Sequence, residues 1–244
     1  MLRSYARHAA ALARGKRQPG RCPICGPTVF KITMGWLREG LVCMRCGSVP
    51  RQRAFVTVLE RTVPGWRDLE IFESSPGGAS SVYIANRCAQ YMPSQYFEGV
   101  ASGEYVGDVR REDLQEMTLR DDSVDLVLTQ DVFEHVLEPE RGWREIARVL
   151  RPGGVHLWTV PIFVGEQTRV RVEPDGSGGL RHLMEPDYHG NPLGGGSLVV
   201  HEWGDDVMER ADHASGMTTT CFELDSRLHG IKGLMKEVLF SRKP

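Results

Sequence analysis

No apolar run in this 244-residue chain approaches the ~20 residues needed to cross a bilayer as a helix. Residues 1–17 hold no acidic side chain. They also lack the roughly 7–15-residue apolar core of a secretory signal. No internal repeat and no low-complexity tract is visible, so a solenoid is excluded. These absences point to a cytoplasmic, non-membrane protein. Residues 1–17 are expected to form a basic helix that packs on the rest of the chain. Cysteine is scarce, six in all, so a disulfide scaffold does not fit. The 41% hydrophobic content is that of an ordinary globular chain, long enough for one large α/β domain and a small module.

The net charge of −2 conceals an asymmetry. Residues 1–61 carry 12 basic and 2 acidic side chains, a net of +10, and the remainder carries −12. A basic segment of this kind suits nucleic acid or a phosphorylated substrate. It equally suits docking on the acidic part of its own chain or of a second copy.

Four of the cysteines fall in two pairs, Cys22-Pro-Ile-Cys25 and Cys43-Met-Arg-Cys46, with 17 residues between them. Two C-x2-C pairs at this separation predict a four-thiolate Zn2+ site. Gly26 and Gly47 follow the pairs and permit tight turns. Two disulfides or a redox dithiol are the alternatives. A zinc here would be structural, because a zinc-ribbon-like module over 18–52 has no core of its own. Cys88 and Cys221 lack partner spacing and read as buried residues.

The chain is organised around residues 121–161. Val124–Leu128 is a nearly continuous apolar run, which predicts a strand buried on both faces. Trp143, Ile146, Ala147 and Leu150 then recur at helical spacing, and Pro152-Gly153-Gly154 is expected to stop that helix. A second strand is expected over Val155–Val160. Strand, crossover helix and strand make a parallel βαβ unit, whose ligands lie beyond the carboxyl ends of the strands. Gln130, Asp131 and His135 follow such an end. Upstream, a helix is expected over Arg51–Val63, with Phe55, Val58 and Leu59 as its core face. Asp68–Glu73 reads as a strand, followed by the small-residue turn Ser74–Ser80 and a helix.

The segment 121–161, with its acidic-aliphatic strand, Glu134-His135 turn and Val149-Leu-Arg-Pro-Gly-Gly154 stop, resembles class I S-adenosylmethionine-dependent methyltransferases of the type 11-like group. The resemblance implies a Rossmann-like α/β fold over 53–244: a mostly parallel seven-stranded sheet with an antiparallel last strand. It implies S-adenosylmethionine as cofactor, cradled by Glu73, Ser74, Ser75 and Gly77. Glu73 stands for the family's acid and Gly77 for its second glycine, while Ser75 and Ala79 replace the first and third. An acid usually ends the family's second strand. Here, with that strand ending near Met92, Ser94, Gln95 and Tyr96 take the ribose position, and core packing is the competing reading of Tyr96. Asp113, with the Leu114 N–H, would meet the adenine; a helix N-cap is the plainer role for Asp113. The Gln130 backbone carbonyl would hold the cofactor's ammonium.

His135, just past the strand that carries Gln130, is the expected general base for a hydroxyl acceptor, with Asp131 orienting it or touching substrate; a helix-capping or packing histidine is the plainer reading, and transfer by proximity alone needs no base. His189 and His201 compete for that role. Residues 162–203 hold eight of the 27 glycines and leave the sheet's carboxyl edge, so they read as a substrate lid. A helix over Asp205–Ala214 and strands over Thr218–Leu224 and Met235–Phe240 should complete the fold. The expected reaction is O-methylation of a small-molecule or glycan-like acceptor. RNA methylation is the alternative, since zinc modules precede this fold in ribosomal RNA guanine methyltransferases. Against it, no Asn-Pro-Pro-Tyr-like motif and no aromatic-basic interleaving is present. A degenerate binding domain is the non-enzymatic alternative.

Overall fold

The computed structural model describes residues 17–190 and 195–244. The expected helix over 1–17 therefore lies outside the described residues, except Arg17, which opens a strand. The chain divides into two compact units. Among the described residues, one comprises those up to Arg67 with Gly77–Arg87 and Phe222–Val238. The other comprises Asp68–Pro76, Cys88–Cys221 and Leu239–Pro244.

The first unit begins with an antiparallel three-stranded sheet, β1 (Arg17–Cys22), β2 (Gly26–Ile32) and β3 (Leu41–Cys43), with the short helix α1 (Leu37–Gly40) before β3. Its core is small: Phe30 and Leu41 are buried beside Cys22 and Cys43. Helix α2 (Pro50–Thr62) starts on a proline, whose missing N–H costs nothing at a first helical position. Phe55, Val58 and Leu59 form its buried face as expected. Arg53, on the same helix, is fully buried. It donates to the carbonyls of Ser48, Leu41 and Gly230, and its guanidinium lies over the Phe30 ring. Helix α3 (Gly78–Ala85) also belongs to this unit.

The second unit is built on an eight-stranded sheet. Its strands are β4 (Ile71–Ser74), β5 (Tyr91–Gln95), β6 (Tyr105–Val106), β7 (Val109–Arg111), β8 (Val124–Gln130), β9 (Leu150–Thr159), β16 (Thr218–Phe222) and β17 (Val238–Arg242), in the order β16-β17-β9-β8-β4-β5-β7-β6. Pairs β4/β5, β4/β8, β5/β7 and β8/β9 are parallel, and β17 runs antiparallel to β9. This is the mostly parallel sheet with an antiparallel last strand that was expected. The eighth strand is the two-residue β6, antiparallel at the edge.

Helix α4 (Pro139–Val149) buries Trp143, Ile146, Ala147 and Val149. Trp143 stacks on Phe133 at 5.0 Å and meets Trp158 and Trp203 at 5.8 and 5.5 Å. Each such ring contributes on the order of 2–3 kcal/mol of burial. The expected helix stop is placed differently. The helix ends at Val149, and Leu150 already pairs with Val124 in β9. Pro152-Gly153-Gly154 is a bulge within β9, Gly153 adopting φ +77°. Leu150 and Val149 are both fully buried, and that burial fixes the strand before the breakers are reached.

The insert over 162–203 is not an open loop. It forms two-stranded ribbons: β10 (Arg169–Val170) with β15 (His201–Glu202), β11 (Val172–Pro174) with β12 (Leu180–His182), and β13 (Tyr188–Gly190) with β14 (Gly196–Leu198). Helix α5 (Val207–Ser215) follows and buries Val207 and Ala211 in the tryptophan core. Cys88 is buried, but Cys221 is only half-buried, a departure from the expectation for it. Among the described residues no helix is long and apolar enough to cross a membrane.

Candidate functional site

In the first unit the four cysteine sulfurs converge. All Sγ atoms lie within 4.8 Å of one another, with Cys22–Cys46 at 3.8 Å and Cys25–Cys43 at 3.5 Å. Four thiolates about 2.3 Å from a tetrahedral zinc stand about 3.8 Å apart, so these residues fit that ion. Gly26 and Gly47 adopt φ +86° and +73°, as the tight turns require. Burial pushes the Cys22 and Cys25 thiols up. Burial acts the same way on Cys43, but hydrogen bonds from Thr28 and from the Cys46 and Arg45 backbone outweigh it and hold Cys43 at about 6. The Arg53 guanidinium, lowered to about 10 by burial, is kept charged by its attraction to all four sulfurs. It would thus supply part of the balance for a zinc tetrathiolate, which carries two negative charges. None of the four cysteines is in a disulfide.

In the second unit the strand order reverses between β4 and β8, the place where open α/β sheets bind ligands. Glu73 is fully buried there. The Tyr91 hydroxyl donates to its Oε2 at 2.6 Å, and Gln130 Nε2 donates to its Oε1 at 2.9 Å. Glu73 therefore ties β4 to both neighbours. Tyr91 was not foreseen; its phenol gave no signal in sequence because it reads as a strand aromatic. Burial and the Glu73 carboxylate together push that phenol's pKa up, so it remains a donor.

Ser74 ends β4. Ser75 adopts φ +54°, and its N–H donates to the Ser94 carbonyl at 2.8 Å. The first-glycine position is thus a left-handed one. Within the first unit, Gly77 precedes α3 and its N–H donates to Ser81 Oγ at 2.9 Å. Gly78, at φ +70°, is strained by any side chain, and a Cβ there would also lie 2.0 Å from Gln52 Nε2, so that the amide would have to shift.

The second strand runs to Gln95, three residues past the expected end. Pairing with both β4 and β7 carries it on, through Ser74↔Ser94 and Ser94↔Arg110. Ser94 is consequently buried inside the strand, and Gln95 closes it. Tyr96 is 53% exposed beneath the Arg111 guanidinium at 4.7 Å, so the core-packing reading of it is overturned. Asp113 caps a tight turn rather than a helix. Its Oδ1 accepts from Gln115 N and Gln115 Nε2 at 2.9 and 3.1 Å, and the Glu116 N–H closes on its carbonyl. Leu114 is buried beside it.

Past β8 the chain turns sharply at Asp131, φ +52°. Thr159 Oγ1 donates to Asp131 Oδ1 at 2.9 Å. The group that orients His135 is instead the Leu198 carbonyl, which accepts from Nδ1 at 2.8 Å. With Nδ1 as the donor, Nε2 carries the lone pair. Burial holds the His135 imidazole below its ordinary pKa, against the Leu198 hydrogen bond and with the help of nearby His189. His189 faces His135 edge-on at 5.3 Å. His201, by contrast, is buried and stacked on Trp203 at 4.8 Å, and burial lowers it to about 4.

The strand order and the polar carboxyl ends of β4 and β8 define a Rossmann-like class I methyltransferase fold. Residues 75–158 match the family model described as a methyltransferase domain. An uncharacterized methyltransferase from Mycobacterium sp. (strain JLS) is 31% identical over 112 residues, 43% of this chain and 42% of that relative. The chain thus spans less than half the length of that curated relative. An S-adenosylmethionine dependent methyltransferase from Mesorhizobium loti superposes with a TM-score of 0.52 at 18% identity, over 78% of this chain and 98% of that one, which establishes the shared fold.

Proposed function

We propose that the chain is an S-adenosylmethionine-dependent methyltransferase that methylates an oxygen of a small-molecule or glycan-like acceptor. The observation that carries this reading is the position of Gln130, Asp131 and His135. They lie within the methyltransferase-domain match, at the carboxyl end of β8, beside the strand-order reversal. When bound, S-adenosylmethionine supplies an activated methyl group. The residues fit such a group in one testable respect: Ser75 already adopts the left-handed backbone that the first glycine of the cradle would take.

In this reading the Gln130 carbonyl and the backbone of Ser74, Ser75 and Gly77 hold the amino-acid end. Glu73, engaged by Tyr91 and Gln130, positions that edge rather than meeting ligand alone. Gln95 and Tyr96 take the ribose, with Ser94 behind them. Asp113 and the Leu114 N–H take the adenine. His135 Nε2 accepts the acceptor's proton; its lowered pKa keeps it neutral and able to do so near pH 7. The ribbons over 162–203 act as the lid, residues 18–52 form a structural zinc module, and residues 53–244 form the transfer domain.

The test is calorimetric titration of the full chain with S-adenosylmethionine and S-adenosylhomocysteine. Micromolar binding of both, lost in Gly77→Arg, is expected. Heat from neither would overturn the reading and favour a degenerate binding domain.

A further inference from the structure

The His135 ring belongs to a tighter constellation than a lone base requires. Glu134 Oε1 lies 3.9 Å from His135 Nε2 and 3.9 Å from His189 Nδ1. All three ligating atoms fall within 4.8 Å of one another. Donors bound at about 2.1 Å to a shared ion stand at most about 4.2 Å apart, so both carboxylate–imidazole separations fit a common ion.

The surrounding structure builds the site from two directions. Glu134 and His135 sit in the turn after β8, and the Glu134 carbonyl accepts from the Val200 N–H at 2.7 Å. His189 comes from the β13–β14 ribbon, where Tyr188 pairs with Leu198. Leu198 is also the residue whose carbonyl fixes His135 Nδ1. One ribbon therefore supplies a ligand and the outer hydrogen bond that aims a second ligand, an arrangement typical of metal-bound histidines. The Glu134 side chain is 2% exposed, and a carboxylate so far from water is favoured beside a dication.

We infer that Glu134, His135 and His189 bind a first-row divalent transition-metal ion. Two imidazoles and one carboxylate select Zn2+, Fe2+, Co2+ or Mn2+ over Ca2+ and Mg2+, and they leave coordination positions open for solvent or an acceptor oxygen. With the ion bound, His135 Nε2 is a ligand, and His135 acts as a base only in the ion-free protein. The inference concerns binding alone and stands whether or not the chain transfers methyl groups.

The test is a Co2+ titration of the full chain followed by visible absorption, alongside His189→Ala and Glu134→Gln. Nitrogen- and oxygen-ligated Co2+ gives weak visible bands, whereas thiolate-bound Co2+ adds intense sulfur-to-metal charge-transfer bands. The two metal centres are thus read separately. Wild-type protein is expected to show the weak bands. His189→Ala, in a half-exposed ribbon where folding is not at stake, should bind Co2+ at that centre at least about tenfold more weakly while the thiolate centre is unchanged. Absence of the weak bands at millimolar Co2+, or equal affinity in His189→Ala, would overturn the proposal.

Discussion

Ser75 sits where a glycine would be at ease, and the backbone there is left-handed at φ +54°. A non-glycine residue in that region costs roughly 1 kcal/mol. Ser75→Gly should therefore raise the unfolding free energy by up to about 0.5 kcal/mol after glycine's greater unfolded-state entropy, about 0.4–1 kcal/mol, is subtracted, read as a small rise in the urea midpoint. An unchanged or lowered midpoint would mean that the serine is held by contacts worth more than the strain. From the sequence, Ser75 could be placed at this turn only by alignment to a motif. The sign of φ came from the fold. The same holds for Tyr91, a strand aromatic whose hydroxyl is committed to Glu73 because β4 and β5 pair in register. His135 was legible as the residue after a strand end. Its partners Glu134 and His189 were not read as a set, because 54 residues separate the two histidines and only the β13–β14 ribbon joins them.

Elements with a strong period were read correctly. The faces of α2 and α4 follow from apolar residues at three- and four-residue spacing, and β8 follows from its nearly continuous apolar run. The misplaced boundaries share one cause. Long-range pairing extended β5 past Met92 and began β9 at Leu150, and no local signal reports pairing with a distant strand. The β1–β3 sheet shows the opposite case, where spacing alone picked out four cysteines whose sulfurs converge. With Phe30 and Leu41 beside two cysteines as its buried core, that sheet is expected to depend on the proposed zinc. Freshly purified protein should hold about one zinc per chain at this centre. Chelation should abolish amide protection in β1–β3, read by hydrogen exchange. Protein that folds with well under one metal per chain would rule out a structural zinc.

At the scale of the whole molecule, two buried histidines set the acid response. His156 is fully buried, with Nε2 paired to Thr129 Oγ1 at 2.9 Å, and burial lowers it to about 3; His201 is lowered to about 4. Both are neutral in the folded chain, and the unfolded chain protonates them near pH 6.5. Stability is therefore fully present above about pH 6.5. It falls as pH drops below 6.5, by up to about 1.4 kcal/mol per pH unit for each histidine, the His201 contribution levelling off near pH 4 and that of His156 near pH 3. Urea melts between pH 7 and 4 should show uptake of about two protons on unfolding near pH 5. A flat profile would mean that these imidazoles are not held neutral by the core.

The placement of β17 has a consequence in time. This strand lies between β16 and β9, not at an edge, yet it is made from Val238–Arg242. A ribosome adding roughly 5–20 residues per second needs on the order of ten seconds to travel from the end of β9 to β17. During that interval β9 has an unpaired side and β16 has no neighbour to join. The nascent chain must hold an open, hydrogen-bond-hungry strand until its successor arrives. Of all the elements of the sheet, β9 is the one whose exposure during synthesis invites a chaperone or a wrong partner.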